Sequence, residues 1–193
     1  MVVNTTQPKP IKPTYNYNMK KLTLLFTVLA LTFATSTVFA QFTQTEMVQE
    51  WTRAKTYTKA YLDAMPADVY GFKPTPEIRS FAQQMLHLAD GNYFMVATAS
   101  GKPSPFGNKS VEQTVTPTRE ATIKAVMDSY DFVISSLQAM TPAQMTETVS
   151  LEDHKVSRSG AFGKAFEHQT HHRGQCTIYL RLKGIKPPQE MLF

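Results

Sequence analysis

The sequence predicts an all-α fold, a four-helix bundle preceded by a cleavable signal peptide. After residue 40 the chain holds four stretches of about 20 residues in which apolar side chains recur at spacings of three and four, the period of an amphipathic helix. No stretch shows convincing strand alternation. Segments rich in proline and glycine separate the four stretches, as expected for helices joined by loops.

The first helix is predicted over residues 45–65 and ends at the proline-rich segment MPADVYGFKPTP. The second is predicted to begin at Thr75, which suits an N-cap because a proline and then a glutamate follow it. The predicted helix ends near Ser100. Residues 101–110, GKPSPFGNKS, are predicted as a loop.

The third helix is predicted to open at Thr116 with the same Thr-Pro pattern and to run to about residue 140. The segment TPAQ, residues 141–144, resembles a capping box of a one-turn helix. Residues 148–160 are predicted as extended or looped, and the fourth helix as starting near Ser159 and ending at Gly184. The links before the third and fourth helices are long enough to permit a crossover instead of strict up-down order.

The first forty residues are predicted to lie outside the bundle. From residue 19 the chain reads MKKLTLLFTVLALTFATSTVFAQ, the order of charged, apolar and small residues of a secretory signal, with cleavage after Ala40. The apolar run of residues 22–34 is shorter than the roughly 20 residues of a spanning helix, so a retained anchor is the less favoured alternative. Residues 1–18 are interpreted as a disordered tail or a misassigned start. The protein is therefore expected to be exported, periplasmic or secreted, without a stable membrane anchor.

The charge of the chain argues against a nucleic-acid-binding protein, and its cysteine content excludes a domain stabilised by internal disulfides. The chain has 20 basic and 15 acidic residues, but four of the lysines and none of the acids precede residue 41, which leaves 16 against 15. A net charge of +1 without a basic stripe gives no reason to expect nucleic-acid binding. Cys176 is the only cysteine, so no internal disulfide can form and a packed core must stabilise the domain.

Three of the five histidines fall within FEHQTHHRGQ in the fourth predicted helix. A helix turns by roughly 100° per residue, so His168 and His172 share a face and can point at one ion. The pair His168 and His171 is a poorer but possible alternative. The metalloprotease motif HExxH is missing, because Gln169 stands where its glutamate base would be. The other interpretation of the run is a solvated polar face.

A metal site would need a third ligand from another helix. His87 is the only other histidine within a predicted helix, whereas His154 falls in a predicted loop beside two acids. A single histidine such as His87 is more often a hydrogen-bonded core residue than a ligand. The residues alone therefore leave open whether the histidines bind metal.

Two segments resemble a known family. HQTHHRGQCTIYLRLKGIKPP, residues 168–188, resembles the last-helix signature of the DinB-like (YfiT-like) four-helix bundle proteins, H-x-x-x-H-R-G-Q followed by a Tyr-Leu-Arg segment and Gly-Ile-x-Pro-Pro. MPADVYGFKPTPEIRSFAQQMLHLADGNYF, residues 65–94, resembles that family's link into a second helix with a single histidine. The resemblance covers essentially the whole region after residue 40, in order.

The resemblance implies a divalent metal held by His87, His168 and His172, with His171 pointing off the metal. Three neutral imidazoles leave at least one coordination position open, which is the pattern of catalytic sites. Zinc or nickel suits imidazole ligands. Such an ion could lower the pKa of a bound water for hydrolysis, or of a bound thiol for transfer.

The predicted function is that of an exported metal-dependent hydrolase or thiol-linked transferase acting on a small molecule. Export makes a thiol-linked transferase the less favoured of the two activities, because low-molecular-weight thiol cofactors are mainly cytosolic. The alternative is a non-enzymatic metal-binding or stress-associated module that dimerises through its helices, and a homodimer is expected. A pocket over the metal with a convergent acid or arginine would favour catalysis.

No catalytic residue is assigned from the sequence. Asp90, Glu152 and Glu167 are the acids nearest to the histidines along the chain, and none stands out as a base. Arg173 has two equal interpretations, steering an anionic substrate group or forming a salt bridge between helices. Cys176 is interpreted as a small core residue, because it lies about 12 Å along the helix axis from His168.

Overall fold

A computed structural model describes residues 43–193, and its frame is built from four long helices. These are α1 (Gln44–Ala64), α2 (Phe81–Ser100), α3 (Arg119–Gln138) and α4 (Arg158–Leu182). The links between them hold a 3-10 turn (Ala67–Val69), two single-turn helices (Val111–Thr114 and Pro142–Met145) and two short strands, β1 (Thr148–Leu151) and β2 (His154–Ser157). The predicted mostly helical fold is confirmed.

The predicted tail (1–18) and signal peptide (19–40) lie outside the described residues and stay predictions. Over residues 43–193, no helix combines the length and the apolar character needed to cross a membrane.

The predicted start of the second helix at Thr75 is wrong. The Ser80 hydroxyl accepts a hydrogen bond from the Gln83 backbone N–H, and the Gln83 side chain accepts one from the Ser80 N–H. This reciprocal capping box satisfies two backbone donors at the helix end, which the Thr-Pro pattern upstream does not do. The helix therefore begins at Phe81.

The third helix also begins after its predicted start. The hydroxyl of Thr118, not that of Thr116, caps α3 by accepting from the Ala121 N–H at 3.3 Å. The single turn after Thr141 has the predicted capping box. The starts of α1 and α4 lie within one residue of their predicted positions.

The segment predicted as extended or looped before α4 forms an antiparallel hairpin. Val149 lies opposite Val156, and Glu152 in the connecting turn has a positive φ of 51°. The all-α prediction is therefore wrong in this detail. β1 packs against α2 and α4, and its last residue, Leu151, is buried.

The packing of the helices places α2 beside the histidine-rich helix. α2 packs against α3 and α4, and α1 packs against the same two helices, so α1 and α2 lie on a diagonal of the bundle. The α2 and α4 helices are antiparallel, since Gln84 contacts His172 near one end and Arg158 donates to the Ala99 carbonyl near the other.

The α2 and α3 helices are parallel to each other. Asn92 donates to Ser129 midway along the pair, and the Lys102 ammonium reaches the Ser135 carbonyl beyond the end of α2. The link between these helices must therefore run back along the bundle, which is the crossover that the loop length permitted. Its path brings residues 110–114 beside α2.

Candidate metal centre

His87 on α2 and the histidine pair on α4 converge at one point between the two helices. The ring centroids of His87 lie 5.3 Å from His168 and 4.6 Å from His172, and those of His168 and His172 are 4.3 Å apart. One ring nitrogen from each histidine lies within 4.8 Å of the others. The three residues assigned by family resemblance are thus brought together and could hold a metal ion.

The other two histidines are not part of this ligand group, although the ring centroid of His171 lies 4.9 Å from that of His172. His171 is exposed, and its Nε2 lies 3.0 Å from Gln175 Nε2 on the next turn of α4. His154 is exposed on β2. The structure therefore groups His168 with His172, and not with His171.

Two glutamines fix the ring of His172. Its Nδ1 lies 2.8 Å from Gln84 Nε2 and 3.2 Å from Gln175 Oε1, and the Gln84 amide also donates to Gln175. The Gln84 amide nitrogen can only donate, so Nδ1 accepts in that contact. In the other tautomer Nδ1 carries the proton and donates it to Gln175 Oε1, which gives up the bond from Gln84 and leaves Nε2 with the lone pair that a metal needs. The sequence analysis did not identify Gln84, which faces His172 from α2.

All three histidines of the group are poor bases. Burial, and to a smaller extent the neighbouring histidines, lower the pKa of His168 to about 4 and that of His172 to about 3. Burial also lowers the pKa of His87, with a further contribution from the positive charge of Arg79. The rings are therefore neutral near pH 7, which is the form that binds a metal.

One atom of the group fits a metal centre especially well. His168 Nδ1 is buried and has no hydrogen-bond partner among the described residues. Buried polar atoms without a partner are rare, and a bound ion is one of the few explanations for them. Together with three neutral imidazoles from two rigid helices, this atom shows that the residues fit a divalent ion with nitrogen ligands.

An acid that the sequence analysis missed lies next to the group. Glu112, in the single-turn helix of the α2–α3 link, places its Oε2 3.7 Å from His87 Nδ1. Both of its carboxylate oxygens accept from Arg79 Nε, at 3.1 Å and 3.0 Å. Glu112 is thus held in place at the edge of the histidine group.

Asp90 positions the turn that carries Glu112. Its carboxylate accepts hydrogen bonds from the Ser110 hydroxyl and from the backbone N–H groups of Val111 and Glu112. The atoms of His87, Asp90 and Glu112 also come within 4.8 Å of one another. Since both acids are already engaged in hydrogen bonds, we interpret them as a brace for His87 and not as a second metal site.

The remaining acids considered from the sequence do not join the histidine group. Glu167 is exposed and pairs with Lys164 at 2.9 Å, and Glu152 lies in the hairpin turn. A capping pattern could have pointed to Glu112 instead. Ser110 is followed by Gln113 three residues later, the spacing that marks a helix start within the predicted loop.

A pocket of about 690 Å³ opens beside the histidine group. The residues that line it include His172, Gln175, Gln84, Arg79 and Glu112. The half-exposed side chains of Ile78 and Ile178 add an apolar surface. The pocket therefore brings a candidate metal ligand, an acid, a cation and apolar contacts to one place.

Comparison with known proteins identifies the family. The model of the DinB superfamily matches residues 50–176, which is 127 of the 193 residues and includes all three histidines of the group. The chain belongs to the DinB superfamily. The uncharacterized protein YjoA of Bacillus subtilis (strain 168) is 24% identical to it over 144 residues, which cover 72% of this chain and 90% of YjoA.

Solved structures of DinB-like proteins have the same fold. A DinB-like protein from Bacillus cereus ATCC 10987 superposes with a TM-score of 0.65 at 18% identity, covering 75% of this chain and 95% of that one. The structure of Bacillus subtilis YjoA gives a TM-score of 0.60 at 22% identity, covering 76% and 96% of the two chains. At these identities the likeness concerns the fold.

In this DinB superfamily member the arginine of the last-helix signature does not face the metal centre. Arg173 is 6% exposed and donates to Gln169 Oε1 at 2.8 Å and to Thr58 Oγ1 at 3.4 Å. Its guanidinium lies 4.6 Å from the centre of the Tyr57 ring. No carboxylate of the described chain forms an ion pair with it. Arg173 therefore ties α4 to α1, and neither role considered from the sequence is supported.

The cysteine of the DinB-like helix is a core residue, as predicted. Cys176 is fully buried on α4, and burial raises the pKa of its thiol. A thiol held in its neutral form is a poor nucleophile. Cys176 is therefore not a candidate for catalysis.

Proposed function

We propose that this protein is a metal-dependent enzyme that acts on a small molecule, as a hydrolase or as a thiol-linked transferase. The observation that carries the proposal is that His172, Glu112 and Arg79 line one open pocket. A metal site closed on all sides by protein ligands is typical of a structural role. An accessible pocket with a convergent acid and a cation is the arrangement that a reaction needs.

His87, His168 and His172 would hold the ion, and zinc or nickel is proposed because both accept imidazole ligands. The bound ion would supply Lewis acidity, which polarises a substrate or lowers the pKa of a coordinated nucleophile. Glu112 would accept the proton of the nucleophile, since it is the acid of the pocket that lies beside His87. Arg79 would keep that carboxylate oriented toward His87.

The pocket also indicates where a substrate would bind. The apolar part of a small molecule would lie against Ile78 and Ile178, and its polar reacting group would face His172 and Glu112. The Arg79 side chain is 42% exposed, so N–H groups other than Nε can meet a polar group of the substrate.

A screen of the metal-loaded protein against ester, amide and thiol-conjugation substrates tests the proposal. We expect turnover that a chelator abolishes and that zinc or nickel restores. The matched control is the His172→Ala variant, which lacks one proposed ligand. Equal turnover of a substrate by the wild-type and the variant protein would contradict metal-dependent catalysis.

A non-enzymatic metal-binding module is the second candidate function. It is favoured by the bonds from Arg79 to both oxygens of Glu112, which occupy the acid that lies beside His87. In that case the metal-loaded Glu112→Gln protein would differ from the metal-loaded wild type only in its charge. A loss of turnover in Glu112→Gln with retained metal would exclude this candidate.

We further propose that the mature protein is exported and forms a homodimer through its helices. The signal-like sequence of residues 19–40 supports export. Phe94 on α2 and Leu182 on α4 are more than half exposed, and apolar side chains of this kind favour a protein contact. Sedimentation equilibrium of residues 41–193 tests the dimer, and a monomer at micromolar concentration would contradict it.

A further inference from the structure

The backbone of α2 lies against the His168 ring at Gly91, one helical turn after His87. A Cβ atom built on Gly91 would lie 2.2 Å from both Cε1 and Nδ1 of His168, and 3.0 Å from its Cγ. Real Cβ contacts are essentially never shorter than 3.0 Å. The imidazole of His168 thus occupies the space that any other side chain at position 91 would need.

Backbone conformation does not explain the glycine. Gly91 lies inside α2 without a positive φ, in contrast to Gly101, Gly107 and Gly184, which all have one. A glycine in a helix interior lowers helix stability relative to alanine. Glycine is therefore needed at this position because the His168 ring fills the space beside the backbone.

We infer that Gly91 is a positioning residue for metal binding. The missing side chain lets the His168 ring lie between α2 and α4, where its centroid is 5.3 Å from that of His87. This inference rests on the proposed metal centre, because it concerns how one of its three ligands is held.

A methyl group at position 91 would separate the three ligands without unfolding the bundle. The atoms that it meets belong to the end of a flexible side chain, and the His168 ring can swing toward solvent by rotating about its side-chain bonds. Alanine also favours the helix over glycine. We therefore expect Gly91→Ala to lose the ligand position of His168. The thermal stability of the metal-free protein should not fall.

The test compares Gly91→Ala with Gly174→Ala in the mature protein, residues 41–193. Gly174 is an exposed glycine inside α4, two residues after His172, and a Cβ there meets nothing within 4 Å. Zn²⁺ and Ni²⁺ are to be titrated into each protein by calorimetry, and thermal unfolding of the metal-free proteins is to be recorded. Gly91→Ala should bind about 10–100-fold more weakly than wild type, as expected when the support of a ligand is changed. Gly174→Ala should bind like wild type.

The outcomes separate this inference from the proposed function. No metal binding by the wild-type protein would overturn the metal centre itself. Binding by the wild type and equally tight binding by Gly91→Ala would overturn only the role of Gly91.

A second variant decides the case if Gly91→Ala does not fold. Adding His168→Ala to Gly91→Ala removes the ring that the new methyl group meets. A double variant that folds as well as His168→Ala alone would show that the contact is with the ring and support the inference. A double variant that still fails to fold would overturn it.

Discussion

Glu112 Oε2 lies 3.7 Å from His87 Nδ1, which links the α2–α3 crossover to the histidine group. The contact depends on Asp90, whose carboxylate accepts from the backbone N–H of Glu112 at 3.1 Å. Since Asp90 and His87 lie on the same helix three residues apart, one turn of α2 supplies both a metal-ligand candidate and the support for an acid beside it.

Replacing Glu112 by glutamine tests whether this acid takes part in a reaction. Glutamine keeps the size of the side chain and an oxygen acceptor but cannot take up a proton. We expect turnover to fall by about 10²–10⁴-fold, the usual contribution of a general base, while metal is retained. Glu167→Gln is the matched control, because Glu167 is exposed and pairs only with Lys164. Equal activity of the two variants would contradict the role of Glu112.

The metal-free protein should lose stability as the pH falls below about 6.5. Folding lowers the pKa of His168 to about 4 and that of His172 to about 3, so between these values and 6.5 the unfolded chain binds protons that the folded chain does not. The free energy of unfolding therefore decreases from pH 7 toward pH 4.

Urea unfolding at pH 7.5 and pH 5 measures this effect in protein treated with a chelator. The double variant His168→Gln/His172→Gln removes both groups, and its loss of stability between the two pH values should be smaller than that of wild type. An equal loss in both proteins would show that these histidines do not titrate as their burial requires.

Arg173 should matter for stability and not for metal binding. Arg173→Ala removes the hydrogen bonds to Gln169 and Thr58 and the contact with the Tyr57 ring, and we expect it to lower the free energy of unfolding by about 1–3 kcal/mol. The exposed Arg181 on the same helix provides the control, with an expected change within about 0.5 kcal/mol for Arg181→Ala. Urea unfolding measures both. A loss of metal with unchanged stability in Arg173→Ala would contradict this assignment.

The sequence could predict the four helices and the three histidines because these depend on local patterns. Apolar spacing marks each helix, and the H-x-x-x-H pair marks one helix face. His87 was a candidate as the only other histidine within a predicted helix, and the family resemblance was needed to assign it as a ligand, since nothing along the chain indicates which face of α2 meets α4. The segment before α4 was predicted as extended or looped, but its pairing into a hairpin was not predicted, because its two strands have only four residues each.

The supports of the site could not be predicted because they depend on tertiary contacts. Glu112 lies 25 positions from His87 in a segment without periodicity, and only the cap from Asp90 brings it back to α2. Gln84 reaches His172 across the interface between two helices. Arg173 follows His172 directly in sequence, yet helix geometry turns it toward α1.

If the signal peptide predicted over residues 19–40 is cleaved, the exported protein has a defined N-terminus. Cleavage after Ala40 would make Gln41 the first residue, two positions before Thr43, the N-cap of α1. N-terminal sequencing of protein recovered from outside the cytoplasm checks this. A chain that still begins at Met19 would contradict the predicted signal peptide.

Metal content of the mature protein and two histidine variants tests the central claim most directly. We expect elemental analysis to find about one divalent ion per chain in the wild type, the stoichiometry of a single three-histidine site. His172→Ala should lose the ion, because the ring lies 4.6 Å from that of His87 within the group. His171→Ala should keep it, because His171 is exposed and bonded to Gln175. Equal loss of metal in both variants, or equal retention, would contradict a centre formed by His87, His168 and His172.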